Sequence, residues 1–196
     1  MTQTTIRIGV LGTHSTGKTM LLKRIEMELR GHGVTVARTG RLAKRAAALG
    51  LPKMQHHTGQ STEWIIARGI ADEIEAEQGA GVVLVDRASL DAVAYLRAAL
   101  EYRGEVLHRG ELERLRLLAG TQAPKYDLLL ATVLDPDVPV DKSHDYDDRF
   151  RRLVDKHVHS LLAEDEFPHQ RVTSDSESQT RAIERALQLC LQEAAV

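Results

Sequence analysis

One cysteine, Cys190, stands in 196 residues, so no disulfide can close within the chain, and a reducing cytoplasm is the expected setting. Asparagine is missing altogether, which excludes the Asn-Lys-x-Asp pattern that guanine-binding switches use. Lys125-Tyr126-Asp127 holds half of that pattern, but before a strand rather than after one. No apolar run nears the roughly 20 residues of a membrane helix. The polar start, residues 1–6, runs directly into a strand pattern and does not read as a signal peptide. Acidic and basic side chains nearly cancel to a net charge of −2, so there is no electrostatic case for nucleic acid or an anionic membrane. No internal repeat or low-complexity linker appears. What is left is an ordinary mixture, 42% hydrophobic and 28% charged, of a length that suits one domain over residues 1–196.

Patterning along the chain alternates strands with helices. Residues 6–11 turn from alternating to apolar, as a strand inside a parallel sheet does, and 20–30 carry apolar side chains at helical spacing until Gly31-His32-Gly33. A short β-branched strand is expected at 34–37, an Ala-rich helix at 41–49 and a longer helix at 58–78. The continuous apolar strand 81–86 ends in Asp86, and helices follow at 90–102 and 105–118. A buried strand at 128–134 leads into 135–148, a polar loop with six aspartates, two prolines and His144. A helix at 150–164, a strand at 170–173 and a helix at 176–194 close the chain. This order predicts an α/β three-layer sandwich, a central parallel sheet with helices on both faces, and ligands gathered at the carboxyl ends of the strands.

The chemistry concentrates at Gly12-Thr13-His14-Ser15-Thr16-Gly17-Lys18-Thr19, which fits G-x-x-x-x-G-K-[ST] between a strand and a helix. A chance match in a chain this long is on the order of one in a hundred. Such a loop turns successive backbone N–H groups into one concavity and adds the positive end of the next helix. Gly12 and Gly17 permit the turns, Lys18 is expected on the β- and γ-phosphates of ATP, and the Thr19 hydroxyl is expected to ligate Mg²⁺. Asp86, at a strand end, suits a carboxylate that holds Mg²⁺ or takes a proton from an attacking hydroxyl. Arg87 beside it would lie next to the transferring phosphate, whereas Asp91 reads equally as a helix-start carboxylate.

The phosphate loop, together with Asp86-Arg87, Asp91 and Tyr95 after the strand 82–85, resembles the P-loop ATPase/kinase family that includes the ribosylnicotinamide kinase domain. Tyr126-Asp127 before an apolar strand, an acidic loop and Arg149-Phe150-Arg151 are similar to that family's lid region, and thymidylate and deoxynucleoside kinases share the acid-arginine pair. The resemblance spans most of the chain in order. It implies a nucleoside- or nucleotide-kinase-like fold with a lid near 135–152, and an acceptor between the Asp86-Arg87 corner and the helices after the second strand. It also implies an adenine edge at Thr173 and Ser174 and a lid cation from Arg149, Arg151 or Arg152, with Arg149 preferred and then Arg152. Two departures stand out. Arg38 precedes Arg41 where relatives carry a Glu-x-x-Arg acid, and Asp141-Lys142-Ser143-His144 replaces the lid's Asp-Gly-x-Arg.

The expectation is therefore an ATP- and Mg²⁺-dependent phosphotransferase acting on a small acceptor, a nucleoside or nucleotide, without nucleic-acid or membrane partners. A regulatory ATPase working through a protein partner is the competing class. Oligomeric state is not legible, and a homodimer stays open. Arg38, Arg41 and Arg45 suit an anionic acceptor or a solvated helix face, and Trp64 suits a stacking platform or core packing. His56-His57 and His157-x-His159 lack the company of metal ligands.

Overall fold

The computed structural model describes residues 5–138 and 147–193. Five strands form one parallel sheet: β1 (Ile6–Leu11), β2 (Val36–Thr39), β3 (Val82–Asp86), β4 (Leu128–Thr132) and β5 (Gln170–Val172). Their spatial order is β2-β3-β1-β4-β5, so β1 sits at the centre. Among the described residues seven α-helices connect and cover them: α1 (Lys18–Gly31), α2 (Leu42–Ala48), α3 (Gly59–Glu77), α4 (Leu90–Arg103), α5 (Arg109–Gly120), α6 (Asp148–Glu164) and α7 (Ser176–Glu193).

Alternation along the strands separates two cores. Ile6, Ile8 and Val10 of β1, with Val82 and Leu84 of β3, face Leu22, Ile25 and Leu29 of α1 and Ala182, Ile183 and Ala186 of α7. Leu11, Val83, Val85, Leu129 and Ala131 face the other way, onto α4 and onto Phe150, Val154, Val158 and Leu161 of α6. Residues Leu90 to Leu96 are all buried, so α4 is apolar nearly all round and runs inside this second layer. The result is the three-layer α/β sandwich that the pattern predicts.

Some boundaries differ for local reasons. Val34 closes the end of α1, its N–H donating to Leu29 O at 3.0 Å, so β2 starts two residues later than expected and takes Arg38 into register with Leu84. The start of α3 falls where expected, capped by Thr58: its hydroxyl accepts from Ser61 N at 3.2 Å while Thr58 N donates back to Ser61 Oγ at 3.0 Å. Two 3₁₀ turns, Met54–His56 and Ala123–Lys125, have no counterpart in the periodicity.

Candidate active site

β1 delivers the chain to the carboxyl edge of the sheet, and residues 12–17 wrap there before α1 starts. The backbone is left-handed at Gly12 (φ 141), Ser15 (φ 57) and Gly17 (φ 80). At Gly12 space is as decisive as φ, because a Cβ would lie 2.0 Å from Thr132 Oγ1. Gly12 N–H donates to the buried Asp91 carboxylate at 2.8 Å. The Thr16 hydroxyl donates to Thr13 O at 2.8 Å and lies 2.7 Å from the Thr132 hydroxyl, which itself donates to Leu11 O at 3.2 Å. The last residue of β4 thus clasps both ends of the turn.

A second clasp comes from α6. Arg151 is 1% exposed; its Nε donates to His14 O at 3.2 Å and its Nη2 to Ser15 O at 3.0 Å. Drawing two carbonyls onto a guanidinium leaves the neighbouring N–H groups to face the concavity. The His14 ring packs near Phe150 and Tyr95, with its Nδ1 3.4 Å from the Tyr95 hydroxyl. Burial, reinforced by Arg87, Lys18 and Arg151, lowers its pKa to about 4, so the ring is neutral at pH 7.

Lys18 opens α1 and is 5% exposed. Its ammonium donates to Thr13 O and lies 3.3 Å from Thr16 Oγ1. Burial, then the nearby Arg87 cation, lowers its pKa to about 7, which an incoming anion would reverse. One residue on, Thr19 Oγ1 donates to Asp86 Oδ2 at 3.0 Å, and Arg38 Nη2 reaches the same oxygen at 3.0 Å. Arg87 holds a left-handed backbone (φ 80), pairs with Asp91 at 3.2 Å and lies 5.0 Å over the Tyr95 ring. Strain of this sort at a non-glycine residue concentrates at functional sites. Asp91 therefore joins the loop to the Asp86-Arg87 corner and does not merely start a helix.

A hydroxyl and a carboxylate at this separation are the hard oxygen donors that Mg²⁺ takes beside water and phosphate oxygens, so Thr19 and Asp86 fit that ion. Among the described residues no group of three or more His, Cys, Asp or Glu side chains could hold a metal by itself.

Gly12, Thr13, His14, Ser15, Thr16, Gly17, Lys18 and Thr19 lie together with Asp86 and Arg87 at one corner of the sheet edge. Thr173 and Ser174 follow β5 at the same sheet edge, where Thr173 N–H donates to Ser178 Oγ at 3.1 Å and Ser174 Oγ binds Asp135. Arg149 is exposed, with its guanidinium 4.9 Å over the Tyr102 ring, and Arg152 pairs with Asp148. The arginine of this helix that reaches the loop is Arg151. The sequence ranks it behind Arg149 and Arg152 because three arginines within four residues look alike until α6 is docked. Of the expected lid, 135–152, residues 139–146 lie outside the described residues, the Asp141-Lys142-Ser143-His144 run among them. Arg45 pairs with Asp72 on α3, which separates it from Arg38 and Arg41.

Two cavities adjoin this corner. An open cleft of about 770 Å³ lies beside the loop on the β2–β3 side, lined by Lys18, Thr19, Lys23, Arg38, Arg41 and Asp86 among others. Next to it is a small, mostly apolar pocket that includes Leu42, Met54, His57, Ile65, Glu73 and Tyr95. Trp64 lines neither. His57 is buried and its pKa lowered to about 4, first by burial and then by Arg87 and Arg103, so it offers a neutral ring.

A parallel sheet in the order β2-β3-β1-β4-β5, with a phosphate loop after β1 and an Asp-Arg corner after β3, is the P-loop nucleotide-kinase fold. Within that class the chain belongs to the AAA domain family, whose model matches residues 7–179. Among solved structures it is similar to NadR protein in complex with NR, with a TM-score of 0.67 and 17% identity over 94% of this chain and 51% of that one. It is also similar to deoxyadenosine kinase from M. mycoides with bound dATP, with a TM-score of 0.67 and 11% identity over 93% and 99% of the two chains. Thymidylate kinase from Ehrlichia chaffeensis gives a TM-score of 0.57 and 17% identity over 94% and 98%. The chain thus spans about half the length of the NadR protein and nearly all of the two kinases. No curated protein sequence matches it.

Proposed function

We propose that the chain is a phosphotransferase that moves the terminal phosphoryl group of ATP to a small acceptor, a nucleoside or nucleotide. The observation that carries this reading is the convergence of Lys18, the Thr19–Asp86 pair and Arg87 on one cleft, with open room on the β2–β3 side of the loop. In-line phosphoryl transfer needs positioning and charge neutralisation more than covalent help. The N–H groups of residues 12–17 and the Lys18 ammonium would bind the β- and γ-phosphates. Arg87, fixed by Asp91 and Tyr95, would steady charge on the group in transfer. Mg²⁺, held by Thr19 and Asp86, would supply further neutralisation of the triphosphate. Asp86 is also the carboxylate placed to take a proton from an acceptor hydroxyl.

Residues 1–196 are taken as one kinase domain, with 135–152 closing over the cleft to exclude water and Arg149 or Arg152 brought in as it shuts. Thr173 and Ser174 would border the adenine, and the cytoplasm would be the working compartment. The reading is supported by the fold shared with kinases and by the geometry of the corner. A transfer screen with labelled ATP across nucleosides and nucleotides tests it. Lys18→Met should lower transfer by at least about 100-fold. Activity within tenfold of wild type would overturn the mechanism, and ATP hydrolysis indifferent to every acceptor would favour a regulatory ATPase.

A further inference from the structure

The cleft beside the phosphate loop is more basic than binding a triphosphate requires. Lys18, Lys23, Arg38, Arg41 and Arg87 line it, and Asp86 is its one carboxylate among the described residues. Three of these cations are already committed: Lys18 to the loop, Arg38 to Asp86 at 3.0 Å, and Arg87 to Asp91 at 3.2 Å. Lys23 and Arg41 are not. Both are exposed, and neither side chain makes a hydrogen bond or ion pair among the described residues. They come from different elements bounding the cleft, Lys23 from α1 and Arg41 from the turn ahead of α2.

That turn is built tightly. Gly40 approaches the Asp86 corner so closely that a Cβ would lie 3.0 Å from Asp86 Cβ, and Arg41 itself holds a left-handed backbone, φ 60. Glycine or asparagine would sit there more easily. An arginine kept under strain on a turn packed against the reacting corner is a placed cation.

The carboxylates point the same way. A hydroxyl acceptor needs a base within reach. Asp86, the base that a hydroxyl acceptor would use, is held on one oxygen by Thr19 and Arg38 and is also the proposed Mg²⁺ ligand, so both roles would fall on one carboxylate. In the adjoining pocket Asp91 accepts from Gly12 and Arg87, and Glu73 from Tyr126 and Arg7. A phosphate oxygen is largely ionised at neutral pH and needs no base.

Resting on the kinase reading above, we propose that the acceptor is itself a phosphomonoester, its phosphate held between Arg41 and Lys23. The bond from the terminal phosphorus of ATP to its bridging oxygen breaks, a bond to an anionic oxygen of the acceptor phosphate forms, and ADP leaves. No proton moves, and the product is a diphosphate. Charge pairing of the acceptor phosphate with Arg41 and Lys23 orients that oxygen toward the loop.

Transfer assays pairing each common nucleoside with its 5′-monophosphate, with ribose 5-phosphate alongside, test this on wild type, Lys23→Gln, Arg41→Gln and the double variant. A monophosphate should exceed its parent nucleoside in kcat/KM by about 100-fold. Arg41→Gln should raise the monophosphate KM about tenfold, with the affinity for a non-hydrolysable ATP analogue unchanged within about twofold. Turnover of ribose 5-phosphate at a comparable rate would keep the phosphomonoester class and show that no base is read. A nucleoside used as well as its monophosphate, or an unchanged KM in Arg41→Gln, would overturn the inference and leave the kinase reading standing. If nothing in the panel is phosphorylated, the kinase reading fails and calorimetry decides alone. Monophosphate binding lost in the double variant would then uphold the anion site, and absence of binding to wild type would overturn it.

Discussion

Arg151→Met removes the clasp between α6 and the phosphate loop without opening a large cavity. Arg151 is 1% exposed, and its guanidinium donates at 3.2 Å and 3.0 Å to two consecutive loop carbonyls. A hydrogen bond from a charged donor contributes about 1.5–3 kcal/mol, and a carbonyl left unmatched in a buried setting costs a similar amount. Ser15 is exposed, so water can satisfy part of that loss, which brings the expected destabilisation to about 3 kcal/mol. For a domain of this size that is a fall of about 6–12 °C in Tm. Stability alone would not separate a loop clasp from any buried arginine. The second readout is affinity for a fluorescent ATP analogue at a temperature where the variant is fully folded. With His14 O and Ser15 O free to rotate toward the anion, binding should weaken by about 10–100-fold. Arg151→Lys, which keeps the charge and one donor direction, should recover part of both effects. Unchanged nucleotide affinity in a folded Arg151→Met protein would refute the clasp, whatever the melting temperature did.

Three further outcomes follow from the same geometry. Gly12→Ala places a Cβ 2.0 Å from Thr132 Oγ1 and 3.0 Å from Thr132 O at φ 141, so denaturant unfolding should show a loss of about 2–4 kcal/mol, only partly restored by Thr132→Ala because the backbone contact and φ remain. Asp91→Ala leaves the Gly12 N–H and Arg87 without their shared carboxylate and should cost about 3 kcal/mol by the same measurement, whereas a change under about 0.5 kcal/mol would mean that the corner is not tied through Asp91. Glu73 is 2% exposed, and burial raises its pKa from 4.5 to about 7 against the pull of Tyr126 and Arg7. The fold therefore prefers the protonated acid more than the unfolded chain does. That contribution is full below about pH 4.5 and disappears as pH rises to about 7, up to about 3 kcal/mol. Unfolding at pH 5 and pH 7.5 should show Glu73→Gln flattening this dependence, and an identical slope in wild type and variant would sink it.

Much of the architecture was legible from pattern alone. Strand and helix periods, the G-x-x-x-x-G-K-T loop and the apolar run ending in Asp86 depend on neighbours within a few residues, so they survive in a one-dimensional reading. Their meeting in space follows from parallel strands, whose carboxyl ends must lie at one edge. The shift of β2 was not legible, because Val34 belongs to α1 only through a bond to Leu29 that competes with the strand. Nor were the two 3₁₀ turns, which carry no period of their own.

By itself the sequence determined the layer architecture, the phosphate loop and the Asp86-Arg87 corner, all set by local composition and chain order. Tertiary packing alone decided which of three adjacent arginines holds the loop, that Asp91 and Thr132 tie it from two different elements, and that Arg41 lines the cleft with no side-chain partner among the described residues while Arg45 is drawn to α3. The physical reason is range. Periodicity and turn chemistry act between near neighbours, whereas a buried guanidinium or carboxylate takes its role from whichever strand end or helix face the folded chain places within about 3 Å of it.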